Sequence, residues 1–291
     1  MKKIIRHCSL QVFFYGLIVS LGFSSCDKVK NPYIKGNTGT IDTTGTKVRK
    51  LLLEEFTGHK CGACPPGAQT IQQLKTQYPD KIISIAIHAG FFASVSSPLY
   101  TNDFHSNEGD DYNNDFGVSS NPVGMVNRKD YPINDQLKDV GEWGSLAGSI
   151  LSVSPDADIK ITNSYNSSSR QLTAVVHSEF LNPLNGTYKL VVLLTEDSII
   201  SPQKDYALPS PSNDTNYVHR HMLRDGITSS YGDVLISGVV SAGDTAVKTY
   251  SYPLPVNFNN TTPNPDHCYV TAYIYDAATY EVIQAEEKKI K

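Results

Sequence analysis

Hydrophobic and polar positions follow one pattern up to about Ile150 and another from Asp158 onward. In the first part, Val48, Leu51, Leu52 and Leu53 form an apolar strand. Ala68, Ile71, Leu74 and Tyr78 then recur at three- and four-residue spacing, which predicts a helix laid on a sheet. Pro65 and Pro66 stand in its first turn, where a missing N–H costs little, and Pro79-Asp80 stops it. Lys81 to Ile87 is β-branched and apolar almost throughout, the pattern of a buried parallel strand. Strand, helix and strand in this order predict a βαβ unit. Farther on, Val140, Trp143, Leu146, Ala147 and Ile150 make one apolar helical face.

From Asp158 the chain turns to short alternating strands. Ile159/Ile161, Leu172/Ala174/Val176, Leu190/Val192/Leu194, Val270/Ala272/Ile274 and Val282 alternate with polar residues, and Asn-, Asp- and Gly-containing turns separate them. The series predicts an antiparallel sandwich that resembles an immunoglobulin-like module. With no helical period to interrupt it, a separate domain over 154–291 is expected. One segment, Tyr217 to Asp225, stands apart. His219 and His221 would share a strand face and could ligate a metal, but no third ligand completes the set. His219, His221 and Arg224 are therefore read as a docking or partner surface, next to a long polar loop over 201–216.

The start of the chain bears on address. Lys2, Lys3 and Arg6 precede a mostly apolar run from Leu10 to Phe23, about the length of a signal-peptide core and short for a spanning helix of roughly 20 residues. Gly22-Phe23-Ser24-Ser25-Cys26 resembles a bacterial lipobox, which implies a signal peptide over 1–25 and acylation of Cys26. The polar stretch 26–46 reads as a flexible tether. Removing residues 1–25 deletes three basic and no acidic residues, taking the net charge from -4 to -7. An acidic chain without basic clusters argues against nucleic-acid binding. Attachment to the membrane would be through lipid at Cys26.

The run Glu54-Glu55-Phe56-Thr57-Gly58-His59-Lys60-Cys61-Gly62-Ala63-Cys64-Pro65-Pro66 places two thiols where a strand gives way to a helix. This arrangement resembles the thioredoxin-like active site. Glu55, six residues before Cys61, matches a carboxylate buried beneath that site, and Asn121-Pro122 matches a cis-proline segment that opens the next strand. With the lipobox, the tether, His88-Ala89-Gly90-Phe91 and the β-rich C-terminal part, the chain resembles lipoproteins related to outer membrane protein 28 of Gram-negative anaerobes. The expected fold class is thus an α/β thioredoxin-like domain over 47–153 followed by an all-β immunoglobulin-like sandwich domain. The family implies an outer-membrane address, and the lack of an acidic cluster after Cys26 leans toward the periplasmic face.

The resemblance assigns roles to four residues: Cys61 as attacking thiol, Cys64 as resolving thiol, Glu55 as proton carrier for Cys64, and Pro122 as the segment presenting backbone groups to a substrate peptide. Lys60 and His88 are accessory candidates, Lys60 because a cation beside Cys61 lowers a thiol pKa. His59, two residues from Cys61, could act in the same sense, though a loop histidine reads first as an exposed residue. No cofactor and no metal are expected. Two readings stand side by side. One is a thiol–disulfide oxidoreductase acting on thiols or disulfides of envelope proteins. The other is a non-enzymatic binding or adhesion lipoprotein in which Cys61–Cys64 is a static disulfide. Solvent access to Cys61 separates them: a buried pair removes the first. A zinc site shared with His267 and Cys268 is a weaker alternative, since a lone Cys-x-x-Cys is poor evidence for zinc. Cys268 lies in a strand pattern and reads as a buried free thiol.

Overall fold

The computed structural model describes residues 46–130 and 135–291. The expected signal peptide, the expected tether up to residue 45 and the expected lipid attachment at Cys26 lie outside the described residues.

The elements run β1 (Leu51–Thr57), α1 (Pro65–Gln77), β2 (Ile82–His88), α2 (Asn107–Asp115), β3 (Val123–Val126), α3 (Trp143–Leu151), β4 (Ala157–Asn166), β5 (Gln171–Phe180) and β6 (Leu184–Glu196). Four two-residue strands follow: β7 (Ile199–Ile200), β8 (Gln203–Lys204), β9 (Asn213–Asp214) and β10 (Val218–His219). The chain closes with β11 (Met222–Gly226), β12 (Asp233–Val240), β13 (Thr245–Pro253), β14 (Cys268–Asp276) and β15 (Val282–Lys289).

The expected βαβ unit is present: β1 and β2 pair in parallel, Leu51 opposite Ile82 through Thr57 opposite His88, with α1 as the crossover. β3 pairs antiparallel with the other edge of β1. The expected fold class does not hold. The sheet continues past β2 into β11, then β6, β14 and β15, with β12 also on β6, giving one eight-stranded mixed sheet in a mostly β protein. Strands from both sides of the expected boundary at 153/154 therefore share one sheet. It is not an α/β thioredoxin-like domain followed by an independent immunoglobulin-like sandwich.

The reason lies in β6 and β14. Leu190 to Leu194 are all buried. Leu190, Val192 and Leu194 face a core shared with the three-stranded sheet β4–β5–β13, while Val191 and Leu193 face a second core with Ile83, Ile85, Ile87 and Tyr112 of α2. A strand buried on both faces reads as a continuous apolar run and belongs inside a sheet covered on both sides. The large sheet thus carries α2 on one face. Its other face is covered at one end by α1 and α3, over Leu51, Leu53, Ile82 and Trp143, and at the other end by β4–β5–β13.

Alternation along β1 decides where its glutamates go. Leu51, Leu53, Glu55 and Thr57 share one face, and Leu52, Glu54 and Phe56 the other. Every residue of the strand is buried. Glu54 meets Arg128, whose Nε and Nη2 donate to its two oxygens at 2.8 and 2.6 Å. The same guanidinium lies against the rings of Tyr112, Phe116 and Tyr273. Among the described residues, no helix is long and apolar enough to cross a membrane.

Candidate functional site

Between the end of β1 and the start of α1 the chain makes a tight loop, and its shape depends on glycine. A Cβ at Gly58 would sit 2.4 Å from the carbonyl carbon of Phe92, a backbone atom that cannot swing away. The Lys60 amide donates to Phe92 O at 3.0 Å, tying the loop to residues 91–94. Cys61 and Cys64 are joined in a disulfide. Each is 2 % exposed, which decides against an accessible Cys61.

A second segment closes over that loop. The Gln203 amide nitrogen donates to Gly58 O at 3.2 Å and Cys61 O at 2.9 Å. The backbone amides of Lys204 and Tyr206 donate to His59 O and Gly62 O at 2.8 and 2.9 Å. The Tyr206 ring lies so near Gly62 that a Cβ there would be 2.4 Å from Cε1. The paired strands β8 and β9 brace this strap. It satisfies four carbonyls or contacts of the loop at once and leaves no route to Cys61 from its side.

Behind the disulfide is a cavity of about 400 Å³. Pro65, Pro66, Ala68 and Ile71 of α1 form one wall, Glu55, Thr57, Ser84, Ala86 and His88 of β1 and β2 another, and residues between 203 and 221 the third. Cys64 reaches its edge. Glu55 is 2 % exposed, and its Oε1 has no hydrogen-bond partner among the described residues. Burial pushes its carboxyl up to about 8, because a charge is costly away from water. Beyond it, His59 and His88 pack edge to face on Phe104 and His219 lies tilted against it, with His88 and His219 ring centroids 5.3 Å apart. Burial holds His88 well below the usual histidine range and brings His219 down to about 4. All three are neutral rings at neutral pH.

The structure places Glu55, Cys64 and His88 on this cavity, with Cys61 bonded to Cys64, and Pro122 follows a cis Asn121–Pro122 bond. A Cβ placed on Gly67 would be 2.7 Å from Glu55 Oε1 and 3.4 Å from Pro122 Cβ, so Gly67 is where the helix, the acid and the proline meet. Other expectations need correcting. Lys60 Nζ is turned to Ser94 Oγ at 2.5 Å and to the face of Phe91, which places it on the far loop. His59 is buried, with Nε2 at 3.1 Å from Ser94 O. His219, His221 and Arg224 are buried, so they do not present a docking surface. Nor do the two histidines share a strand face. His219 joins the His88 cluster, whereas His221 has φ 48° and turns to Lys75 Nζ at 2.9 Å. Arg224 is spent on Glu196 at 3.2 Å, on Thr261 and on the Phe258 ring.

Cys268 is buried and free, as expected of its strand position, and burial pushes its thiol up to about 12. Among the described residues no group of three His, Cys, Asp or Glu side chains is placed to hold a metal. Sequence reasoning missed Gln203, Tyr206 and Tyr217, because nothing local marks a loop as the lid of a site well over a hundred residues away.

A family model described as outer membrane protein Omp28 matches residues 109–291, a span that includes Pro122 and the strap but not the disulfide. No curated protein matches the chain. Among solved structures, HBP35 of Porphyromonas gingivalis is similar with a TM-score of 0.58 at 14% identity, covering 84% of this chain and 76% of its own. A protein from Agrobacterium tumefaciens is similar with a TM-score of 0.50 at 12% identity, covering 85% and 97%. A domain of the outer membrane lipoprotein Omp28 from Porphyromonas gingivalis matches at 15% identity over 47% of this chain and 89% of that domain, with a TM-score of 0.33. At these identities the first two likenesses concern the fold alone.

Proposed function

Because the chain belongs to the Omp28 family of outer membrane proteins, we propose that it is a binding protein of the cell envelope in which Cys61–Cys64 is a structural disulfide. One observation carries this reading: both sulfurs are buried, and the strap from Gln203 to Tyr206 is hydrogen-bonded across the loop that holds them. Thiol exchange begins with attack by one sulfur on another along an open line. Here the strap takes that line.

The surroundings also give little help to a Cys61 thiolate. A thiolate is favoured by cations and by free N–H groups at a helix N-terminus. Lys60 is engaged elsewhere, and Pro65 and Pro66 remove two of those N–H groups. The disulfide instead fixes a wall of the cavity, which is sized and lined for a small molecule; ligand pockets run from about 300 to 1,000 Å³. Acylated Cys26 would hold the protein on the membrane, facing the periplasm; Cys26→Ser should move it to the soluble fraction.

The test is turnover. Wild type and Cys61→Ser are compared for reduction of a disulfide-bonded protein such as insulin with dithiothreitol as electron source. Equal rates are expected. A wild-type rate well above that of the variant would overturn the reading in favour of thiol–disulfide exchange with envelope proteins. That second reading draws on Cys64, which reaches the cavity edge.

A further inference from the structure

The cavity behind the disulfide has a polar character that its walls do not satisfy. Glu55 Oε1, Ser84 Oγ and His88 Nδ1 are all buried without a hydrogen-bond partner among the described residues, and all three side chains line this one cavity. Native proteins leave few such atoms, and each asks for an explanation. Three on adjoining strands around one space point to a ligand that supplies donors.

We propose that the cavity binds a small organic cation, a primary amine on an apolar body, with Glu55 as its counter-ion. The proposal rests on the reading of the protein as a binding module and names what it binds. An ammonium has three donors and no acceptor. Glu55, Ser84 and His88 offer acceptors on adjoining strands: Glu55 and Ala86 are register partners on β1 and β2, and Ser84 and His88 flank Ala86 on its own face. Pro65, Pro66, Ile71, Ala86, Ala207 and Val218 supply apolar contact for the rest of the molecule.

Charge separates this class from the alternatives. An anion would face a carboxyl, with neutral histidines around it that resist protonation. Among the lining residues Arg220 is the one Lys or Arg, and it is already paired with Asp197 at 3.3 Å. Among the described residues no group of three ligands is placed for a metal ion. Asp205 at the rim has the sign that favours entry of a cation. Binding moves one proton: the ammonium enters charged, the Glu55 carboxylic acid gives its proton to solvent, and the resulting carboxylate pairs with the ammonium. A protonated Glu55 in the free protein follows from its burial.

Titration calorimetry on the full mature chain tests this, with benzylamine as probe and benzyl alcohol and benzoate as neutral and anionic counterparts. Benzylamine should bind at least about tenfold tighter than benzyl alcohol, the value of one charge-assisted contact. In buffers of different ionisation enthalpy at pH 7, close to one proton should leave per amine bound. Glu55→Gln should weaken benzylamine at least about tenfold and benzyl alcohol far less. Should that variant not fold, Ser84→Ala should weaken the amine alone, and the proton release of wild type decides. No binding up to about 10 mM, equal affinity for amine and alcohol, a preference for benzoate, or binding without proton release would each overturn the proposal. None of these outcomes touches the disulfide, which is read by its own redox behaviour.

Discussion

Glu54 and Glu55 are adjacent, both buried, and face opposite sides of one strand, but only Glu54 has a cation. Arg128 grips it with two hydrogen bonds inside an aromatic box. Glu55 has its Oε1 unpartnered at the cavity. Glu54 is built into the core as an ion pair, and the Glu55 carboxyl is left without a charge partner at the cavity.

Glu55 makes the fold less stable as pH rises. Its folded pKa of about 8 lies above the model-peptide value near 4.5, so between those values the folded state binds the extra proton and stability falls with pH. The buried histidines act in the opposite direction below their unfolded value near 6.5, which leaves pH 6.5–8 as the clean window. Over it, wild type should lose about 2 kcal/mol that Glu55→Gln does not lose. Urea midpoints of the two proteins at both ends of the window check this.

The Arg128 pair should behave in the manner of a buried ion pair. Arg128→Met strands Glu54 without water or partner and should cost about 3–5 kcal/mol in urea unfolding. Glu54→Leu with Arg128→Met should recover most of that loss, because the aromatic box remains around an apolar filling.

Acid should loosen the site. His88 and His219 are buried with folded pKa values below their unfolded ones, so the unfolded state binds more protons as pH falls through 6.5. Stability should therefore drop between pH 6.5 and 4, and the two rings, 5.3 Å apart, would repel once charged. His88→Phe should flatten this part of the profile in thermal melts.

Much of the site was legible because it is local. The strand, the Cys-x-x-Cys loop, the two prolines and the helix lie within β1 to α1, and the burial of Glu55 was implied by the thioredoxin-like resemblance of that stretch. The fold class was not legible in the same way. Leu190 to Leu194 is a continuous apolar run, the mark of a strand covered on both faces, but its even positions alone also fit a half-buried alternating strand. The alternation of Tyr273 and Tyr275 with Ala272 and Ile274 carried the same signal. His219, His221 and Arg224 read as surface because a polar sequence says nothing of the carboxylates, rings and carbonyls that receive it. The strap was invisible for a further reason: its bonds run from Gln203, Lys204 and Tyr206 to the backbone of a distant loop, and backbone acceptors leave no trace in composition.

The strap can be pried open at one point. Gly62→Ala places a Cβ into the Tyr206 ring, which is 66 % exposed and free to swing outward. The variant should stay folded while dithiothreitol reduces its disulfide faster than that of wild type, followed by mass-resolved alkylation. Gly58→Ala, which meets the Phe92 backbone instead, should cost about 1–3 kcal/mol.

The most direct measurement is the reduction potential of the Cys61–Cys64 pair, by thiol trapping in defined redox buffers with Cys61→Ser as control. A buried disulfide under a closed strap predicts a value below about -300 mV. A value between about -120 and -270 mV would place the pair among exchange proteins and contradict a structural disulfide.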